Sequence, residues 1–300
     1  MMMSGERAAG AYIALAVGVV AIGWSAIFVR WTHMAGLASA FYRVFIAAAV
    51  LWPFVLLSAK QSLRLDKSTL RLAALGGLFF AGDVGMYNVA VLHTTAGGAT
   101  LLGNNAPVFV GILTWIITRK APPRTFWMVL AVASVGAILI MGVDAKRAGL
   151  ELTGDVLAFG TSICFALYLM VTERLRDRCD SATLLMLSST ASAAALLPVV
   201  LLTHTSLRIP GATGLGAVLG LALVCQVVGY FSLTYALGHL PATITSVLLL
   251  AVGPVSAILA FGLFGERMTP LQLLGGALVL LGVWLAGHLR GVVRLPALVE

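Results

Sequence analysis

Charge is scarce in this chain. Lys, Arg, Asp and Glu make up 10% of its 300 residues, where a soluble chain carries about a quarter. Cysteine is scarcer still. Cys164 and Cys225 fall inside apolar runs and Cys179 between two runs, which reads as small packing residues and excludes a disulfide framework. No GxxxxGK[ST] loop is present, which argues against ATP-driven pumping by this chain alone. There is no HExxH, and the histidines at 33, 93, 204, 239 and 288 are scattered near the ends of apolar runs, so no metal centre is expected. No carboxylate pair and no clustered nucleophile and base suggest an enzyme. No cofactor is expected either.

Hydrophobic residues fill the space that charge leaves, at 60% of the chain. A membrane crossing takes about 20 mostly apolar residues. Ten such runs are legible: 11–29, 38–58, 70–92, 97–118, 124–142, 154–172, 182–203, 213–237, 242–264 and 271–289. The expected fold is an all-α membrane protein of ten transmembrane helices with no soluble domain. The first run is long enough to span and no small-residue cleavage site follows it, unlike a signal peptide. The net charge of +8 is topological rather than a nucleic-acid footprint. With a cytoplasmic N-terminus, 13 Lys and Arg fall in inner segments, 5 in outer loops and Arg43 within a run. That bias predicts both termini in the cytoplasm, in a bacterial inner membrane, with anionic lipid as a weak partner.

The runs repeat. Residues 1–148 and 149–300 overlay with an offset drifting from 144 to 147. Gly10 falls on Gly154, Arg30 on Arg174, Pro53 on Pro198, Ala90 on Ala236, His93 on His239, Ala96 on Ala242, Pro107 on Pro254 and Pro123 on Pro270. Five crossings per half is odd, so the second half must enter from the opposite side. Two inverted five-helix repeats are the form of transporters that alternate their access.

Ionisable groups in a bilayer are costly, and two are embedded, Arg43 in the second run and Asp83 in the third. They are expected to pair, unless Arg43 snorkels to the outer interface. Tyr87 and Asn88 follow Asp83; Asn104 and Asn105 precede Pro107; Trp24 and Tyr168 occupy equivalent places in the two halves; Gln226 and Tyr230 lie in the eighth run. Aromatic rings with polar tips, mixed with amides, suit an amphipathic organic solute. Each residue taken singly also has a plain reading as glue between helices. Pro107 and Pro254, with the glycines around them, mark interrupted segments in matching positions and are expected hinges.

At this point the residues resemble a known family, the EamA branch of the drug/metabolite transporter superfamily. Ser39–Ala48, SAFYRVFIAA, is similar to its aromatic-Arg-Phe segment. Ala242–Gly282 carries its ninth-span Pro, the Gly-Glu-Arg turn at Gly265–Arg267 and the Gly-rich tenth span, and Arg119–Lys120 stands in the degraded first copy. The resemblance is closest to the YddG-type amino-acid exporters. It implies a cavity lined mainly by spans 1, 3, 4, 6, 8 and 9, and export of amino acids, aromatic ones included. It also makes Arg43 and Gly265–Arg267 structural. Another cargo (a nucleotide-sugar, a drug, a quaternary ammonium ion) and a non-transport receptor or assembly role remain as alternatives, and oligomeric state stays open.

Overall fold

A computed structural model describes residues 5–58, 65–93, 103, 105–148, 152–264 and 269–288. Asn104, the glycines Gly97 and Gly98 ahead of Pro107, and Gly265–Arg267 lie outside these residues. The described residues form ten helical segments. We number them α1 (Gly5–Gly23, resumed over Ser25–Trp31), α2 (Gly36–Ser58), α3 (Lys67–His93), α4 (Ala106–Thr118), α5 (Arg124–Ala148), α6 (Leu152–Leu175), α7 (Ser181–Leu202), α8 (Gly211–Leu237), α9 (Ala242–Phe264) and α10 (Pro270–His288). Seven stretches, from α1–α3 and α6–α9, are long and apolar enough to cross a membrane; Ala106–Thr118, Arg124–Leu139 and Pro270–Ala286 are shorter apolar helices. No strand occurs among the described residues. In lipid this follows from chemistry, because a helix satisfies its own backbone polar groups. Leucines and isoleucines such as Leu57, Leu202, Ile13 and Ile116 are exposed, as a lipid-facing surface requires.

The helices pack in pairs that exchange when the first five are traded for the last five. α3 packs on α6, and α8 on α1; α3 packs on α7, and α8 on α2; α4 packs on α6, and α9 on α1. The pairs α2–α7, α4–α9 and α5–α10 map onto themselves. Glycines allow the closest approaches. A Cβ on Gly77 of α3 would stand 2.7 Å from the Ser188 carbonyl of α7, and one on Gly136 of α5 would stand 2.5 Å from the Gly275 carbonyl of α10. The equivalent Gly282 of α10 would place its Cβ 2.7 Å from that of Ala133 in α5.

Three helices are irregular where they meet at the centre. α1 breaks at Trp24, and Ser256 of α9 donates to the Gly23 carbonyl there at 2.7 Å. α8 is π-helical over Gly220–Tyr230, and α9 tightens to a 3₁₀ turn at Leu249–Ala251. Pro254 explains the last. It has no N–H for the Leu250 carbonyl and its ring crowds that turn. Pro107, by contrast, lies in the first turn of α4, where a missing N–H costs nothing.

Candidate functional site

A cavity of about 60 Å³ opens where these irregular segments converge. α1 contributes Ile22 and Ser25, α2 Arg43, α3 Asp83, Val84 and Tyr87, and α6 Thr161 and Phe165. Gly103, Tyr230 of α8, and Leu249 and Val252 of α9 complete the wall. Both halves of the chain therefore build it. The volume is well below the roughly 300–1,000 Å³ of ordinary ligand pockets, so admitting an organic solute requires the walls to part.

Two opposite charges face this space. Arg43 is 2% exposed and Asp83 5%. Burial at that level corrects the snorkelling option for Arg43, because its guanidinium points into the bundle. Arg43 Nε donates to Gln226 Oε1 at 2.9 Å, and the guanidinium carbon lies 5.2 Å from the Tyr230 ring centroid, a cation–π contact. The Arg43 guanidinium and the Tyr230 hydroxyl are polar neighbours of Asp83. The π-helical stretch of α8 thus supplies both residues that hold Arg43. π segments recur at functional sites because the i→i+5 pattern re-aims side chains.

Aromatic rings stack behind the charges. Phe80 lies 4.6 Å from Tyr168 and 4.7 Å from Tyr230, centroid to centroid. Phe165 lies 6.3 Å from both tyrosines. The Tyr168 ring is fully buried, and its hydroxyl sits among those of Thr172, Ser188 and Thr234.

The structure brings some sequence-predicted residues together and not others. Asp83, Tyr87 and Tyr230 line the cavity. Gln226 stands behind it as the acceptor for Arg43, and Tyr168 backs Tyr230 at 6.1 Å. Trp24 stacks on Phe28 at 5.5 Å and meets Trp31 at 6.5 Å, at the break in α1. Asn88 is fully buried between α3 and α2. The hydrogen-bond network orients its amide to accept from Ser39 Oγ at 3.0 Å and Ala40 N at 3.1 Å, and to donate to the Val84 carbonyl at 3.3 Å. Asn105 holds the N-cap position of α4, its carbonyl accepting from Val108 N at 3.0 Å.

Sequence reading missed Arg43 as a cavity residue, along with Ser25, Thr161 and Phe165. For Arg43 a signal existed, an intramembrane charge, set aside because its family segment looked structural. Phe165 lies one helical turn before Tyr168, a spacing that places both on one face. Ser25 and Thr161 carry hydroxyls too common in membrane helices to stand out.

The chain is similar to several known proteins. The profile of the EamA-like transporter family matches it twice, over residues 9–142 and 152–287. The uncharacterized transporter YwfM of Bacillus subtilis is 28% identical over 204 residues, covering 66% of this chain and 67% of its own length. A probable terminal-alkyne amino-acid exporter of Streptantibioticus cattleyicolor is 27% identical over 206 residues, 67% of each chain. The threonine/homoserine exporter RhtA of Escherichia coli is 26% identical over 208 residues, 69% of this chain and 66% of its own. One solved crystal structure superposes with a TM-score of 0.79 over 96% of this chain and 99% of its own, at 16% identity, a likeness of fold alone.

Proposed function

The chain belongs to the EamA-like transporter family, and on that premise we propose that it exports amino acids, aromatic ones included, by alternating access. It is a multi-pass membrane transporter and not an enzyme. The observation that carries the cargo is the cavity, with one carboxylate, one guanidinium and aromatic rings facing one space. Relatives named as a threonine/homoserine exporter and a terminal-alkyne amino-acid exporter support the same cargo class. The resemblance within the family to YddG-type amino-acid exporters agrees with it.

Two inverted repeats, 1–148 and 149–300, supply the motion. The exchange-related helix pairs and the odd number of helices per half support an inverted arrangement. Rocking of one half against the other about α3, α4, α8 and α9 parts the walls of the contracted cavity. Pro254, beside its 3₁₀ turn, and Pro107, in the first turn of α4, are the hinges. Asp83, Tyr87 and Tyr230 meet the substrate; Trp24, Asn88, Asn104, Asn105, Tyr168 and Gln226 position them or contact larger cargo. The Lys and Arg bias supports both termini on the cytoplasmic side of a bacterial inner membrane.

Counterflow in proteoliposomes tests this reading. Vesicles loaded with unlabelled amino acids are expected to accumulate labelled amino acid, and Tyr87→Ala to reduce the rate at normal expression. Accumulation of tetraethylammonium or a nucleotide-sugar, with none of any amino acid, would refute it.

A further inference from the structure

We propose that Arg43 and Asp83 are the two poles of a zwitterion-reading site, Arg43 taking the substrate's α-carboxylate and Asp83 its α-ammonium. The inference rests on the amino-acid reading above and goes beyond it by assigning which side chain meets which group.

Four observations converge. First, the two charges line one cavity from neighbouring helices and are electrostatic neighbours. Two buried charges of opposite sign leave the cavity neutral, and a buried charge without compensation is costly. A cation alone would pair with Asp83 and compete with Arg43; an anion alone would do the reverse. A zwitterion pairs both poles and keeps the cavity neutral.

Second, Arg43 is held in one orientation. Its Nε is bonded to Gln226 and its plane lies by Tyr230. Among the described residues its hydrogen bond runs through Nε, so the terminal NH₂ groups are left for the cavity it lines. That fork matches a carboxylate.

Third, the wall that carries Arg43 also carries a buried hydroxyl without a hydrogen-bond partner, and a buried amide N–H without one lies behind it. Ser25 is 4% exposed and lines the cavity, yet its Oγ has no hydrogen-bond partner. The buried Gln226 Nε2, beside the same guanidinium, has none either. Buried donors without acceptors call for a group that only accepts, and a carboxylate is one.

Fourth, the aromatic groups, Tyr230 among them, lie beside the charges. The site reads the backbone groups common to all amino acids with ions and leaves the side chain to rings.

Wild-type protein and substrate analogues test the assignment without relying on a variant that folds poorly. The amino acid with the fastest counterflow is competed with its carboxamide, which lacks the carboxylate, and with its α-hydroxy acid, which lacks the ammonium. The amino acid is expected to compete at least tenfold better than either. In Asp83→Asn the advantage over the hydroxy acid is expected to shrink to within threefold while that over the carboxamide persists. In Arg43→Lys, which keeps the charge but not the fork, the advantage over the carboxamide is expected to fall. If the carboxamide and the hydroxy acid match the amino acid in wild type, the zwitterion site is refuted while amino-acid export stands. If no amino acid is transported, both readings fall together.

Discussion

Arg43 of α2 and Gln226 of α8 are joined by a 2.9 Å hydrogen bond across 183 positions of sequence. The bond ties a charge in the first half of the chain to the π-helical stretch of the second. Hydrogen bonds to charged groups contribute about 1.5–3 kcal/mol. Gln226→Leu leaves the guanidinium without its acceptor, so it is expected to lower stability by about that amount and to slow transport at least tenfold. Gln226→Glu keeps an acceptor oxygen and is expected to fold better than Gln226→Leu. Thermal unfolding in detergent compares the three; equal midpoints for wild type and Gln226→Leu would remove the bond from any structural role.

Cys179 sits in the turn between α6 and α7, outside the spans. Burial pushes its thiol up to about 11, Asp180 adds to the rise, and Arg176 opposes it. The thiolate is the reactive form, so Cys179 is expected to react with maleimide at pH 7.5 more than tenfold slower than a free cysteine in solution. Mass spectrometry of the labelled peptide reads the rate. Arg176→Ala withdraws the opposing positive charge and is expected to slow labelling further unless it opens the turn.

The apolar runs were legible because a membrane crossing demands one length and one chemistry; seven of the ten become helices that meet that length, and α4, α5 and α10 hold shorter apolar stretches. The break at Trp24 was not, since neither Trp24 nor its neighbours forbid helix; it depends on Ser256, far away in sequence, accepting the role of partner to the Gly23 carbonyl. Asp83, Tyr87 and Tyr230 were legible as cavity residues because a polar group at mid-span needs a polar surrounding. Asn88 met the same criterion, yet its amide is engaged by Ser39, Ala40 and Val84. Intramembrane polarity marks a buried requirement, and only packing decides whether protein or ligand satisfies it. The π stretch of α8 had no pattern of its own. Gly220 and Gly229 hint at it, because a Cβ on either would stand 2.6 Å from Phe28 or 2.9 Å from Ile22.

Asp180 caps α7 from an extended backbone, accepting from Ala182 N at 2.9 Å and Thr183 N at 3.0 Å. Burial works to raise its pKa, but the Thr183 hydroxyl and these amides outweigh it, and the carboxyl is held below its ordinary value. A depressed carboxylate pKa contributes stability above the unfolded value that is lost as pH falls through the folded one. Asp180→Ala is therefore expected to cost about 1 kcal/mol at pH 7, with the gap from wild type narrowing once pH drops below the ordinary value of 3.8. Asp180→Asn keeps a capping oxygen without the charge, so its deficit should be smaller at pH 7. Unfolding followed at pH 7, 5 and 3 checks both; a gap that widens toward low pH would show the sign to be wrong.

Gly136 and Gly282 occupy exchange-related places at the α5–α10 contact and are expected to respond alike. A methyl on Gly136 would meet backbone, the Gly275 carbonyl at 2.5 Å and Val279 N at 2.6 Å. On Gly282 it would meet Ala133, Cβ at 2.7 Å and backbone N at 3.2 Å. Backbone cannot swing aside as a side chain can, so each Ala variant forces the helices apart, at a cost of about 1–3 kcal/mol, larger for Gly136. Gly276, one residue beyond the Gly275 contact on α10, has open space where its Cβ would stand. Gly276→Ala should instead gain up to about 1 kcal/mol, as Ala favours helix over Gly. Midpoints of thermal unfolding for the three variants give the comparison. Opposite signs for Gly136→Ala and Gly276→Ala would establish close backbone contact between α5 and α10, whereas stabilisation by both would mean that these helices do not touch there.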